Sequence, residues 1–213
     1  MNPKIPIETS ARHVHVSKKD FEILFGEGSE LHYEKELSQP GQYLCSERLT
    51  VIGPKGKFDN IAILGPFKDE TQVELSMTDT RTLGIKSVIR QSGYTSGTPG
   101  CTLLGPKGKL VIDHGVIVAK RHIHMTPGDA LRMNVKDNDE TFVITKSYGR
   151  ALIFADVVVR VNKNYRLAMH VDTDEANSFA SDEEPFGVII KLFEGNSYRI
   201  DEWIDEILSG IQR

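Results

Sequence analysis

Two short segments set histidines two residues apart, His13-Val14-His15 and His122-Ile123-His124. In an extended strand, residues i and i+2 project from one face, so each segment would present two imidazoles side by side; a helix would place them about 200° apart. Two neutral imidazoles on one face are half of a typical zinc shell, and His, Asp or Glu from elsewhere in the fold usually completes it. A lone His-x-His pair is commonly just solvated. Here the pair recurs inside a longer echo: Arg12-His13-Val14-His15-Val16-Ser17-Lys18-Lys19-Asp20 returns as Arg121-His122-Ile123-His124-Met125-Thr126-Pro127-Gly128-Asp129, 109 residues later in a chain of 213. A weaker echo relates Val73-Glu74-Leu75-Ser76-Met77-Thr78-Asp79 to Met169-His170-Val171-Asp172-Thr173-Asp174 with one gap, so Glu74 and His170 are the natural completing ligands. His32 and His114 have no comparable setting.

The elements that must carry these residues follow from the same segments. Each His-x-His run alternates as a strand does, and Ser17 or Thr126 is then placed to cap a helix, with an acid three residues on. Helices are expected over Lys18 to Phe25 and Pro127 to Met133, the second strengthened by Pro127 in its first turn. Short β-like runs fill the remainder: Leu49 to Ile52, Ile61 to Leu64, Leu110 to Ile112, Gly115 to Ala119, Thr141 to Thr145, Val157 to Val161 and Val188 to Phe193. Gly53-Pro54-Lys55-Gly56 and its near copy Gly105-Pro106-Lys107-Gly108 mark turns. The expected fold is mainly β with short helices (α+β): two β-barrel-like halves from an internal duplication, residues 1–97 and 98–195, with the metal site at their interface. Beyond them, Ile200, Trp203, Ile204, Ile207, Leu208 and Ile211 fall at helical spacing opposite Asp201, Glu202, Asp205 and Glu206, so residues 196–213 read as an amphipathic C-terminal helix. Its apolar face would pack on its own chain or meet a partner.

Twenty-six Lys and Arg against 30 Asp and Glu leave a net charge of −4. That balance argues against a nucleic-acid or anionic-membrane surface, so any anionic ligand must be met by a local site. No run approaches the ~18 apolar residues of a membrane span, and the first residues lack the apolar stretch of a secretory leader. The sequence reads as cytoplasmic. Cys45 and Cys101 read as reduced core residues rather than a disulfide.

Five ordered motifs resemble the PduL-type phosphate propanoyltransferases over about residues 5 to 193: Ser10-Ala11-Arg12-His13-Val14-His15, Gln39-Pro40-Gly41-Gln42-Tyr43, Thr71-Gln72-Val73-Glu74-Leu75-Ser76, Arg121-His122-Ile123-His124-Met125 and Met169-His170-Val171-Asp172-Thr173-Asp174-Glu175-Ala176-Asn177. The resemblance implies a phosphotransacylase with two zinc ions per chain, interconverting short-chain acyl-CoA plus phosphate with acyl phosphate plus CoA, the acyl group being propanoyl or acetyl. By the same resemblance His13, His15 and Glu74 would hold one zinc, and His122, His124 and His170 the second. Ser10, Ala11, Arg12, Lys55, Ser92 and Asn177 would form the coenzyme A site, and Arg160 would face phosphate. Two positions depart from the family: Lys68 stands where an Arg usually meets phosphate, keeping the charge but losing the bidentate fork, and Ala62 replaces an often basic CoA contact. Relatives that work inside bacterial microcompartments, in pathways such as propanediol degradation, often carry an amphipathic targeting helix. The C-terminal helix is the segment that would play that part here, toward a microcompartment shell or as a homo-oligomer contact.

The residue types suit this chemistry. Zinc lowers the pKa of a thiol and polarises an acyl oxygen, while cations hold phosphate against a second anion. Direct transfer between phosphate and sulfur needs no protein nucleophile, and the sequence offers no convincing Ser-His-Asp or Cys-His arrangement. Two other readings stand beside it: a dizinc hydrolase, in which the same ligands would activate water, and a non-catalytic metal- or nucleotide-binding module.

Overall fold

The computed structural model describes residues 3–147, 150–179 and 184–190. Along the chain the elements are β1 (Ile5–Ser10), β2 (His13–His15), α1 (Lys18–Phe25), β3 (Tyr33–Glu36), β4 (Tyr43–Ile52), β5 (Lys57–Gly65), β6 (Gln72–Glu74) and α2 (Met77–Leu83). There follow β7 (Ile89–Arg90), β8 (Cys101–Leu104), β9 (Lys109–Ile112), β10 (Val116–Ala119), β11 (His122–Met125) and α3 (Pro127–Met133). The last are β12 (Glu140–Ser147), β13 (Arg150–Val161), β14 (Ala168–Asp172), α4 (Thr173–Ser178) and β15 (Phe186–Ile190). The fold is mainly β with short helices, as the alternation of the sequence predicts. Among the described residues no helix is long and apolar enough to cross a membrane. The helix expected over residues 196–213 lies outside the described residues.

The described residues form two compact units, one of residues 10–120 and one combining those of 3–9 with those of 121–190. In the first, nine strands form a curled sheet in the order β7-β10-β6-β2-β5-β4-β8-β9, with β3 paired on β4. In the second, β1-β14-β11-β13-β12-β15 close a barrel. Residues 97 and 98, where the two halves are expected to meet, lie inside the first unit, in which β8 pairs β4 and β10 pairs both β6 and β7. At the other end, β1 pairs β15 through Ile5 opposite Gly187 and joins the second unit.

Each unit has its own core. Val14, Phe21, Leu24, Ile63, Val73 and Leu103 are buried in the first, and Ile5, Ile123, Met125, Val157, Val159 and Met169 in the second. Val14 and Ile123 are the middle residues of the His-x-His runs, so burying them turns the flanking imidazoles to the other face of the strand.

The helices are held by their first turns. Ser17 and Thr126 cap α1 and α3, as expected, and the bounds of both helices agree with the sequence reading. Two further helices were not anticipated: Ser76 with Asp79 and Asp172 with Glu175 form capping boxes that start α2 and α4. These boxes align Glu74 with His170, Ser76 with Asp172 and Asp79 with Glu175 without a gap, which corrects the gapped echo. The two Gly-Pro-Lys-Gly turns lie against helix ends: Lys55 N–H donates to Leu83 O at 2.9 Å and Lys107 N–H to Leu24 O at 3.0 Å. A Cβ on Gly53 or Gly105 would lie 2.3 Å from those same carbonyl oxygens, so only glycine lets the turn approach.

Candidate metal centre and its surroundings

In the first unit β2 runs antiparallel to β6, placing His13 opposite Glu74 and His15 opposite Gln72. Residues paired across two strands share a face, so both imidazoles and the carboxylate emerge together. Their donor atoms lie within 4.8 Å of one another, and all three residues are buried. His13 Nδ1 lies 2.8 Å from Ala11 O, and His15 Nδ1 lies 3.2 Å from Leu64 O. A carbonyl only accepts, so each Nδ1 carries the proton and each Nε2 lone pair is left for the shared face.

The Nε2 atoms lie 3.6 and 4.0 Å from Glu74 oxygens, longer than hydrogen bonds. Two donors about 2.0–2.1 Å from one tetrahedral ion would stand roughly 3.4 Å apart, so the spacing and the donor types both fit a zinc-sized cation. The carboxylate is steadied from behind: Ser92 Oγ donates to Glu74 Oε1 at 2.7 Å, and Gln72 Nε2 donates to the same oxygen at 2.7 Å and to Ser92 Oγ at 3.0 Å. Gln72 was not singled out by the sequence reading. Its only local signal was its place two residues before Glu74 on the same strand face.

Burial alone would raise the Glu74 pKa, but the two imidazoles and the Ser92 hydroxyl outweigh it and hold the carboxylate ionised. Burial works against a charged His13 too, yet Glu74 beside it moves its pKa upward. His15 goes the other way, to about 4, from burial, the neighbouring His13 and Lys68. Lys68 is exposed and its backbone N–H donates to Val16 O at 2.9 Å.

The second unit repeats the plan. β11 runs antiparallel to β14, setting His122 opposite His170. The ring centroids of His122, His124 and His170 lie 4.6, 5.2 and 4.9 Å apart pairwise. His124 Nδ1 is buried with no hydrogen-bond partner. An orphaned nitrogen inside a cluster of imidazoles costs free energy as it stands and is the kind of donor a metal ion satisfies. Arg160 is the register partner of His124 on β13. Burial, the two other imidazoles and Arg160 push the His124 pKa down to about 2, so this ring is neutral and able to donate its lone pair. His170 Nδ1 lies 3.7 Å from Glu8 Oε2.

The positions that the resemblance assigns to coenzyme A are distributed as follows. Ser10 ends β1, and Ala11 and Arg12 are exposed just before β2. Arg12 Nε and Nη2 meet Asp79 at 3.1 and 2.8 Å while its guanidinium lies 4.3 Å from the Phe58 ring centre. Lys55 is in the turn against α2, Ser92 is committed to Glu74, and Asn177 lies in α4. Cys45 and Cys101 are free and buried, and burial raises their pKa values to about 11 and 12.

The chain is similar to known proteins along most of its length. Residues 6–182 match the family model for phosphate propanoyltransferase. A phosphate propanoyltransferase of Thermotoga maritima is 53% identical over 176 residues, covering 83% of this chain and 84% of the relative. One from Enterococcus faecalis is 51% identical over 185 residues, 87% of each chain, and one from Leptotrichia buccalis is 56% identical over 173 residues, 81% of each. Two His-x-His strands, one paired with the strand of Glu74 and one with the strand of His170, thus sit on a chain matched along most of its length, and this chain belongs to the phosphate propanoyltransferase family of acyltransferase enzymes.

Proposed function

We propose that this chain moves a short acyl group, propanoyl or acetyl, between coenzyme A and inorganic phosphate: acyl-CoA and phosphate give acyl phosphate and free CoA, and the reverse. We further propose that it does so with two zinc ions, one held by His13, His15 and Glu74 and one by His122, His124 and His170. The observation that carries the metal reading is the convergence of two imidazoles and a carboxylate within 4.8 Å, each imidazole oriented through its other nitrogen. Zinc bound there would lower the pKa of the CoA thiol and polarise the acyl oxygen.

The chain's own residues do the rest. Arg160 and Lys68 supply fixed positive charge beside the two donor sets, which offsets the repulsion between phosphate and the CoA thiolate. His15 and His124 stay unprotonated near neutral pH and keep their lone pairs available. Ser10, Ala11, Arg12, Lys55 and Asn177 are the positions proposed to meet CoA. No protein nucleophile is needed: the buried Cys45 and Cys101 thiols remain protonated in the physiological range. The hydrolase alternative is not favoured by a family relationship that spans most of the chain.

The test is a paired measurement on purified protein. Release of CoA from propanoyl-CoA should depend strictly on phosphate and yield acyl phosphate in equal amount, and elemental analysis should find close to two zinc ions per chain. CoA release without phosphate would convert the reading to a hydrolase. Metal-free protein with full activity would overturn the zinc proposal.

A further inference from the structure

Arg121 immediately precedes the His122 strand, and its guanidinium is engaged on every edge. Nε donates to Ala155 O at 2.9 Å, Nη1 donates to Glu175 Oε1 at 2.7 Å, and Nη2 pairs with the Asp156 carboxylate. The Phe154 ring centre lies 5.4 Å away. Two of these partners belong to a β-bulge. β12 and β13 pair through Thr141 with Val157 and Val143 with Phe154, so the register shifts between these pairs, and Asp156 takes a positive φ of 49°.

That shift has a consequence for side-chain direction. Phe154 and Val157 are three apart, which in a regular strand puts them on opposite faces, yet both are buried in the same core. The extra residue at Ala155–Asp156 absorbs the mismatch. Beyond it, Val158 and Arg160 are the register partners of His122 and His124 and share their face. Losing the bulge would turn Arg160 to the other side of the strand.

Glu175, the third partner, is the acid of the α4 capping box: its Oε2 accepts from Asp172 N–H at 3.0 Å while Oε1 accepts from Arg121. The box ends β14, the strand of His170. One planar cation therefore joins the start of the His122 strand, the bulge that aims Arg160, and the helix that follows His170. We infer that Arg121 is a positioning residue that sets the mutual geometry of the His122-His124-His170 donors and Arg160. This rests on the two-metal reading of the proposed function.

The experiment loads full-length protein with cobalt(II), whose visible spectrum reports ligand geometry, and compares the unmodified chain with Arg121→Ala, Arg121→Lys and Glu175→Gln. Expected for Arg121→Ala are a changed cobalt spectrum, about 10–100-fold weaker retention of one metal equivalent against a chelator, and a raised KM for phosphate with the KM for CoA unchanged. Arg121→Lys should recover only part of this, because an ammonium cannot span both carboxylates. Glu175→Gln keeps the shape, breaks one arm, and should shift the spectrum and the phosphate KM in the same direction by less. If Arg121→Ala does not fold, Glu175→Gln decides. A lower Tm with unchanged spectrum and unchanged phosphate KM would make the contact merely structural and overturn the inference. If the unmodified chain takes up no cobalt, the metal reading itself falls and the inference with it; if it takes up cobalt and the variants match it, the inference alone falls.

Discussion

The two units solve one positioning problem with the same parts. In residues 10–120 a His-x-His strand pairs antiparallel with a strand carrying Glu74; in the unit holding residues 121–190 the equivalent pair carries His170. Ala62 and Val158 are the register partners of His13 and His122, and the offset that relates them also relates Phe58 to Phe154 and Asn60 to Asp156. Both Asn60 and Asp156 have positive φ, 60° and 49°, at register shifts in β5 and β13. Arg12 over Phe58 and Arg121 over Phe154 repeat as well.

What differs is charge and closure. Arg12 binds Asp79 and leaves 42% of its side chain exposed, whereas Arg121 binds two carboxylates and leaves 26%. Glu74 gives the first donor set an anion and an upward pull on His13, while burial, the two other imidazoles and Arg160 drive His124 down to about 2. A shared scaffold therefore carries two electrostatic settings. The second would leave the charge of a bound divalent ion unneutralised, which suits a position facing phosphate.

The most damaging break in this comparison is the loss of a proposed ligand. His124→Ala should lower turnover by about 100-fold or more and bring the metal content from close to two ions per chain to one, with the His13 set still loaded. Elemental analysis beside the phosphate-dependent assay checks both parts, and loss of both ions would mean that the two sets do not bind independently.

A smaller effect belongs to Lys68. Lys68→Ala should raise the KM for phosphate by about 10–100-fold, the scale of one charge-assisted hydrogen bond at roughly 1.5–3 kcal/mol. Lys68→Arg should lower it a few-fold by restoring a two-bonded fork. Initial rates at varied phosphate and fixed CoA resolve this, and an unchanged constant in both variants would show that Lys68 does not reach the substrate.

Ser92 offers a subtler probe. Its hydroxyl donates to Glu74, so Ser92→Ala should weaken metal retention in the first set by about tenfold and spare the second. A change confined to the CoA constant would instead favour the role implied by family resemblance.

How far the sequence discloses this arrangement depends on the distance over which each feature is determined. The His-x-His faces, α1 and α3 are legible because period-two alternation and the Ser17 and Thr126 caps are local. The helices α2 and α4 have 7 and 6 residues, too few for an apolar period, and only their capping boxes announce them. The closing pair Ile5 and Gly187 joins the two ends of the described chain, so no window of sequence contains it. Arg121 was visible as a column of the echo, yet its partners Asp156 and Glu175 are 35 and 54 residues away, and nothing local marks a clasp. Gln72 is likewise tied to Ser92 across 20 residues.

The smallest expected effect exploits the fact that both cysteines, Cys45 and Cys101, lie in the first unit. Burial raises their pKa values from 9.0 to about 11 and 12. Below pH 9.0 the thiols are protonated whether the chain is folded or not, and their contribution to stability is fully present. As pH rises past 9.0 the unfolded chain releases these protons first, so stability falls by up to about 1.4 kcal/mol per pH unit for each thiol until the folded pKa is passed. Tyr43, also raised by burial, pulls in the same direction. Replacing both cysteines by valine leaves Tyr43 in place but also removes the Cys45 charge that helps raise the Tyr43 pKa, so the variant reads the thiols together with that coupling. The Tm of the double variant should therefore decline less steeply between pH 8.5 and 10.5 than that of the unmodified chain, and at pH 8 the native thiols should alkylate slowly, at a rate set by opening of the first unit alone. Parallel Tm curves would mean that the thiols are not protected by this core. Rapid alkylation would place the weaker packing in the unit that holds Glu74 rather than in the closed barrel that holds His170.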